Sequence, residues 1–179
     1  MRAFFGLPVP EAQRGRLEHY LAACAATAPE FRWSPAQNLH LTVRFIGSVE
    51  RSVVEHVADR LDELRPRAFE LELGDVGTFK RGRLVRVVWL QVTAGSEEAG
   101  ALAAQVEAEC VRGGLEPDPR PFQPHLTLAR ARPRDGAAPR SLPSPPVVPP
   151  WRAEELVLYR SLLGRGGAVY EPLRKLRLR

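Results

Sequence analysis

Asn-Leu-His-Leu-Thr-Val-Arg-Phe at residues 38–45 and Gln-Pro-His-Leu-Thr-Leu-Ala-Arg at residues 123–130 share a His-Leu-Thr core, with His40 and His125 standing 85 positions apart. Both stretches read as strands, the first over about 39–46 and ending at Gly47, the second over about 125–130. In a strand, side chains at i and i+2 project from the same face, roughly 6.5–7 Å apart. His40 therefore shares a face with Thr42, and His125 with Thr127. Leu41, Val43, Leu126 and Leu128 point the other way, into whatever packs behind. Each strand is held by its apolar face and displays an imidazole and a hydroxyl on the other.

Working outward, the chain alternates extended and helical runs. Residues 2–7 read as a strand. A helical pattern follows from Pro10 to about Ala26, with Leu17, Leu21 and Cys24 on one stripe. Residues 27–37, with Pro29 and Pro35, read as loop. A second helix runs from about Glu50 to Leu64, its apolar stripe carried by Val53, Val54, Val57, Leu61 and Leu64, and it stops before Pro66. Residues 68–73 alternate Phe69, Leu71 and Leu73 with Glu70 and Glu72, as a half-buried strand does. After a basic turn at Lys80-Arg81-Gly82-Arg83, residues 84–92 form another strand. The third helix, about Ser96 to Val111, ends at Gly113-Gly114. Residues 131–150, with seven prolines, read as a surface loop without a core of its own, and residues 154–161 and 168–176 as a hairpin turning at Gly164–Gly167. The order suggests two similar halves, with a His-Leu-Thr strand beyond a helix in each. If the halves face each other about a pseudo-twofold axis, two imidazoles and two hydroxyls converge on one cleft.

A chain of 179 residues carries one domain's worth of core, which excludes both a stapled miniprotein and a multidomain machine. With 44% hydrophobic and 26% charged residues, the composition excludes wholesale disorder. No apolar run approaches the roughly 18 residues a spanning helix needs, and Pro8 and Pro10 interrupt the N-terminal apolar stretch too early for a signal sequence. A cytoplasmic protein is expected, with no membrane partner. Cys24 and Cys110 lie on apolar helical stripes and read as core packing. The net charge of +5 is carried almost wholly by arginine, Lys80 and Lys175 being the lysines. A planar guanidinium suits bidentate contact with phosphate.

Two imidazoles facing one cleft have a natural use. One, neutral, takes a proton from attacking water while the other, charged, gives a proton to the leaving oxygen, and an unperturbed pKa near 6.5 permits both forms. The two hydroxyls can donate to the non-bridging oxygens of a phosphate held between them. A metal site wants three or four ligands, and there is no H-x-H, no C-x-x-C and no acidic residue on the displayed face of either strand, so no metal is expected. His19 and His56 fall on helices off the apolar stripes and read as solvated surface residues.

The paired H-L-T-V at 40–43 and H-L-T-L at 125–128 resemble the H-x-[ST]-x motifs of the two-histidine (2H) phosphoesterases, and within them the LigT-like RNA 2',3'-cyclic phosphodiesterases. R-A-F-F-G-L-P-V-P at the start, V-V-W-L at 87–90, P-F-Q-P-H-L-T-L-A-R at 121–130 and L-Y-R-S at 158–161 also look like family blocks in family order, so the resemblance covers most of the chain. It implies an α+β fold in which residues 1–179 form a single bilobal domain, two antiparallel sheets with flanking helices related by a pseudo-twofold and the active-site cleft between the lobes. It implies hydrolysis of RNA 2',3'-cyclic phosphate ends to a 2'-phosphomonoester, without metal or cofactor, by a monomer whose partner is the RNA end. By the same resemblance His40 is the proton donor to the 3'-oxygen, His125 the proton acceptor from water, and Thr42, Thr127 and Arg130 hold the phosphate.

Strand alternation by itself puts Arg44 on the His40 face as a possible RNA contact. It puts Arg130 on the face opposite His125 unless the strand ends or bulges first. Phe45, Phe122, Trp33 and Tyr159 are further aromatic candidates for base contact. Two alternatives stay open: reversible 2'-5' RNA ligation at the same site, which microscopic reversibility allows, and a basic RNA-binding module whose histidines are structural.

Overall fold

The computed structural model describes residues 1–179 and confirms the α+β reading, with the strands joined in antiparallel pairs. In chain order the elements are β1 (Arg2–Pro8), α1 (Glu11–Thr27), β2 (Phe31–Trp33), β3 (His40–Ser48), α2 (Arg51–Leu64), β4 (Phe69–Arg81), β5 (Leu84–Ala94), α3 (Ser96–Arg112), β6 (His125–Ala131), β7 (Trp151–Ala153), β8 (Glu155–Gly164) and β9 (Gly167–Arg177). No helix is long and apolar enough to cross a membrane.

The hydrogen-bonded path runs β7-β4-β5-β6-β3-β1-β8-β9, four strands on either side of the β3/β6 seam. That seam is narrow: Leu41 and Leu126 are the one registered pair across it. The sheets expected for two lobes are thus one continuous path pinched at its middle. The sequence halves explain the symmetry of the path. β1-α1-β3 and β5-α3-β6 are equivalent passages, each carrying the chain from a flanking strand through a helix to a histidine strand at the centre.

Period-two alternation produces the central layer. Leu41, Val43, Leu126 and Leu128 are buried on one face, while His40, Thr42, His125 and Thr127 are partly exposed on the other. α3 packs against β3, α2 against α3 and β9, and α1 against β2. Their apolar stripes, Leu17, Leu21 and Cys24 on α1, Val54, Val57 and Leu61 on α2, and Leu102, Val106 and Cys110 on α3, join one buried cluster with the back of the sheet. Fully burying such a side chain contributes about 1.5–3 kcal/mol. The carboxylate of Glu109, also buried, is answered by Arg60 of α2 and by Arg112, so the helix pair is tied as well as packed.

Both segments read as loop differ from that reading, β4 runs on to Arg81, past the 68–73 expected, and a short strand, β7, precedes β8. The stretch expected as loop at 27–37 contains β2, which pairs with β6 through Phe31↔Ala131, Arg32↔Arg130 and Trp33↔Ala129. Three residues between two prolines are too few for periodicity to show, and the pairing that stabilises them is nonlocal. The proline-rich segment is not free of the core: Ala137 and Val148 are buried and Ala137 pairs with Val85. It is also tied to α1, where Tyr20 donates to the Pro143 carbonyl and Gln13 to that of Pro149. Prolines leave carbonyls without matching N–H groups, and these side chains satisfy two of them.

Candidate active site

Pairing Leu41 with Leu126 in antiparallel register sets His40 alongside Thr127 and Thr42 alongside His125, on the face away from both leucines. A pseudo-twofold through the leucine pair therefore relates two imidazole-hydroxyl sets across one patch of sheet, as the duplicated motif requires.

Beyond the motifs both strands bulge. In β3 the register passes from Gly6↔Thr42 to Phe5↔Arg44, so Val43 has no partner on β1. In β6 it passes from Trp89↔Thr127 to Val88↔Ala129, leaving Leu128 unpaired. An extra residue reverses the alternation that follows it. Arg44 accordingly goes with buried Phe5, and Phe45 with Phe4 on the His40 face. Likewise Ala129 is buried directly after Leu128, and Arg130 returns to the His125 face, exposed.

Arg44 thus departs from the expected face. Its side chain is 10% exposed and is engaged by Glu107 of α3, by Asp118 at 3.4 Å and by the Glu116 carbonyl at 2.7 Å. It clamps β3 to α3 and to the segment after it. Phe45, 38% exposed, holds the open face instead, with Arg2 stacked 5.7 Å from its ring centroid. Of the other aromatic candidates, Tyr159 stacks on Phe4 at 5.0 Å beside His40. Trp33 donates its indole N–H to the Ala28 carbonyl, and Phe122 packs against the core.

Each imidazole is fixed in the same way. His40 Nδ1 lies 2.7 Å from the Asn38 carbonyl oxygen and His125 Nδ1 2.6 Å from that of Gln123. A carbonyl only accepts, so each Nδ1 carries the proton that donates to it, and Nε2 is left to face the patch. His40 Nε2 is 3.0 Å from Thr42 Oγ1.

Aromatic rings wall both histidines. Phe4, Tyr170 and Tyr159 surround His40 at centroid distances of 4.7, 5.1 and 5.9 Å. Phe79 and Trp89 flank His125 at 5.0 and 6.1 Å. Two glycines make room for this. A Cβ on Gly6 would stand 3.2 Å from the His40 ring and 3.0 Å from the Leu41 carbonyl oxygen, and one on Gly77 would lie 2.2 Å from the Trp89 indole. Of these walls only Tyr159 was a sequence candidate. Phe4, Phe79, Trp89 and Tyr170 come from four other strands, and only alternation read together with pairing register could have placed them.

Electrostatics follow from the enclosure. Burial among the rings pushes the His40 pKa down to about 4; the Asn38 carbonyl opposes this, and the charges of Arg130 and His125 add to it. Burial also lowers His125, opposed by the Gln123 carbonyl and assisted by Arg130. One guanidinium thus acts on both imidazoles, placing Arg130 at the patch. Both shifts favour the neutral imidazole, and Arg130 is the cation that acts on both. A bound anion would oppose these shifts, since an opposite charge within about 4–6 Å favours the protonated form. Among His, Cys, Asp and Glu, no three side chains gather in a way that could hold a metal ion.

With this geometry in hand, comparisons with known proteins are informative. The sequence profile of the 2'-5' RNA ligase superfamily matches residues 9–165. An RNA 2',3'-cyclic phosphodiesterase of Aeropyrum pernix is 32% identical over 168 residues, covering 89% of this chain and 93% of that protein. One of Escherichia coli is 32% identical over 175 residues, covering 97% and 94%. The crystal structure of E. coli LigT complexed with 3'-AMP superposes with a TM-score of 0.84 at 30% identity, covering 99% of this chain and 97% of that one.

Proposed function

The chain belongs to the 2'-5' RNA ligase superfamily, and on that premise we propose that it is an RNA 2',3'-cyclic phosphodiesterase working by two-histidine acid-base catalysis. The observation that carries this reading is the antiparallel Leu41–Leu126 pair, which sets one imidazole and one hydroxyl on each side of a patch that also receives Arg130. The cyclic phosphate sits between the two sets. Thr42 and Thr127 donate to its non-bridging oxygens, and Arg130 neutralises their charge.

His125 Nε2 takes a proton from a water molecule, whose oxygen forms the new bond to phosphorus. The bond to the 3'-oxygen breaks on the far side, and His40 Nε2–H protonates that oxygen, leaving a 2'-phosphomonoester. The environments suit this division. His40, inside three rings, has its pKa pressed down to about 4 and is therefore the stronger acid once protonated. Substrate charge favours that protonation, the proton coming from solvent: a phosphodiester anion offsets the Arg130 repulsion and part of the cost of burial, and so raises the His40 pKa. The catalyst is thus assembled by its own ligand. No step needs a metal or a cofactor, and the reaction runs in the cytoplasm, carried out by a monomer on RNA ends.

The test is product analysis on an oligoribonucleotide ending in a 2',3'-cyclic phosphate, with and without EDTA. A 2'-phosphate alone, unaffected by EDTA, is expected, and a 3'-phosphate would overturn the acid and base assignment. The description of the matched family favours a second reading, joining of ends through a 2'-5' linkage with a 5'-hydroxyl in place of water. The same histidines serve it in reverse, and supplying 5'-hydroxyl ends in the same assay would reveal the joined product.

A further inference from the structure

We propose that the groove between β2 and the β8–β9 hairpin tip is a second anion subsite, which binds the RNA backbone immediately 5' of the reacting nucleotide. The inference deepens the phosphodiesterase reading and rests on it. The groove is about 620 Å³ and takes Arg32, Arg132 and Arg165 into its lining, with no acidic side chain among the lining residues. That volume lies within the roughly 300–1,000 Å³ of small-ligand sites.

Three features tie it to the reacting centre. Arg32 is registered directly opposite Arg130 on neighbouring antiparallel strands, about 4.8 Å apart. Like charges so placed repel, and a polyanion lying across them removes the cost. Neither Arg32 nor Arg165 has a salt bridge or side-chain hydrogen bond within the chain, whereas Glu30, beside this strand, is already taken by Arg140. The hairpin is also joined to the catalytic strand: Asn38, whose carbonyl holds His40, donates its side-chain amide to the Ala168 carbonyl at 2.9 Å.

The direction of the chain decides what fills the groove. His40 protonates the ribose 3'-oxygen, so the ribose and the RNA leading into it lie on the His40 side of the patch. The antiparallel register puts β2 and Arg130 on that same side, and the Asn38–Ala168 hydrogen bond brings the hairpin tip to it. At the tip, a Cβ on Gly166 or Gly167 would meet nothing within 4 Å. A nucleic-acid backbone can therefore approach the main chain there without obstruction.

The experiment compares a 2',3'-cyclic mononucleotide with an oligoribonucleotide carrying the same end, using the wild type, R165A and R32A/R165A. For the oligonucleotide, KM is expected to rise about three-fold in R165A and ten-fold or more in the double variant, with kcat kept. For the mononucleotide, kcat/KM stays within two-fold. Binding of a fluorescent oligonucleotide ending in a 2'-phosphate should weaken in parallel, and its log-log salt slope should fall by roughly 0.7 for each phosphate that the variant no longer neutralises. Equal losses on both substrates, or unchanged oligonucleotide KM and binding, would overturn the subsite. If the wild type turns over neither substrate, the phosphodiesterase reading fails, and the binding and salt data still decide the groove.

Discussion

The two histidine strands use one backbone design and end on opposite chemistry. Each runs His-Leu-Thr, bulges at the next residue, buries the position after that, and returns to the open face five residues beyond its histidine. On β3 these last two positions are Arg44 and Phe45; on β6 they are Ala129 and Arg130. The first strand therefore sends its arginine backward to brace a helix and shows a ring to solvent, while the second sends a cation to the patch. Duplication accounts for the matched imidazoles and hydroxyls. Divergence at two positions accounts for a patch with a single central guanidinium, whose charge adds to the burial that lowers both imidazole pKa values.

The sharpest way to break this comparison is to remove the two arginines in turn. R130A should lower kcat/KM by roughly 10²–10³-fold, the typical cost of losing one preorganised donor to developing charge, with an unchanged melting temperature. R44A should do the reverse. It strands Glu107, while Asp118 keeps Arg120; it costs about 2–4 kcal/mol and lowers the melting temperature by roughly 5–15 °C, and the mononucleotide kcat stays within a few-fold. Activity loss in R44A without a melting shift would return Arg44 to the site and contradict the bulge reading.

The hydroxyls test the symmetry itself. T42V and T127V should each cost about 10–100-fold in kcat/KM, the worth of a hydrogen bond to a charged group, and should match within a factor of a few. A large inequality would mean that one side alone holds the phosphate. Phe45 should matter least: F45A is expected to raise the oligonucleotide KM a few-fold and leave kcat unchanged, since its ring stands off the reacting atoms.

Much of this was legible in the sequence because it is local. The His-Leu-Thr pairs, the alternation that buries Leu41 and Leu126, the apolar stripes of α1 to α3 and the hairpin at Gly164–Gly167 all have short-range periods. The bulges do not. Val43 and Leu128 are ordinary strand residues with no glycine to mark a break, so simple alternation put Arg44 on the site and Arg130 behind it unless the strand bulged. The bulge is what sends each to the other face. β2 was hidden for another reason, since a three-residue strand exists only through its pairing with β6. The aromatic walls were hidden likewise, being assembled from β1, β4, β5, β8 and β9, whose neighbours no one-dimensional pattern reveals.

The central claim, that the two imidazoles divide acid and base between them, is tested most directly by the pH dependence of kcat/KM for the wild type, H40A and H125A. Both pKa values are lowered in the free enzyme, so the wild-type bell should be centred on the acid side of 6.5. Each variant should lose about 10²–10⁴-fold in rate. Without its acid, H40A should keep the rise with pH and lose the alkaline fall. Without its base, H125A should lose the acid limb. Near-wild-type turnover in both variants, or an intact bell in either, would contradict the account.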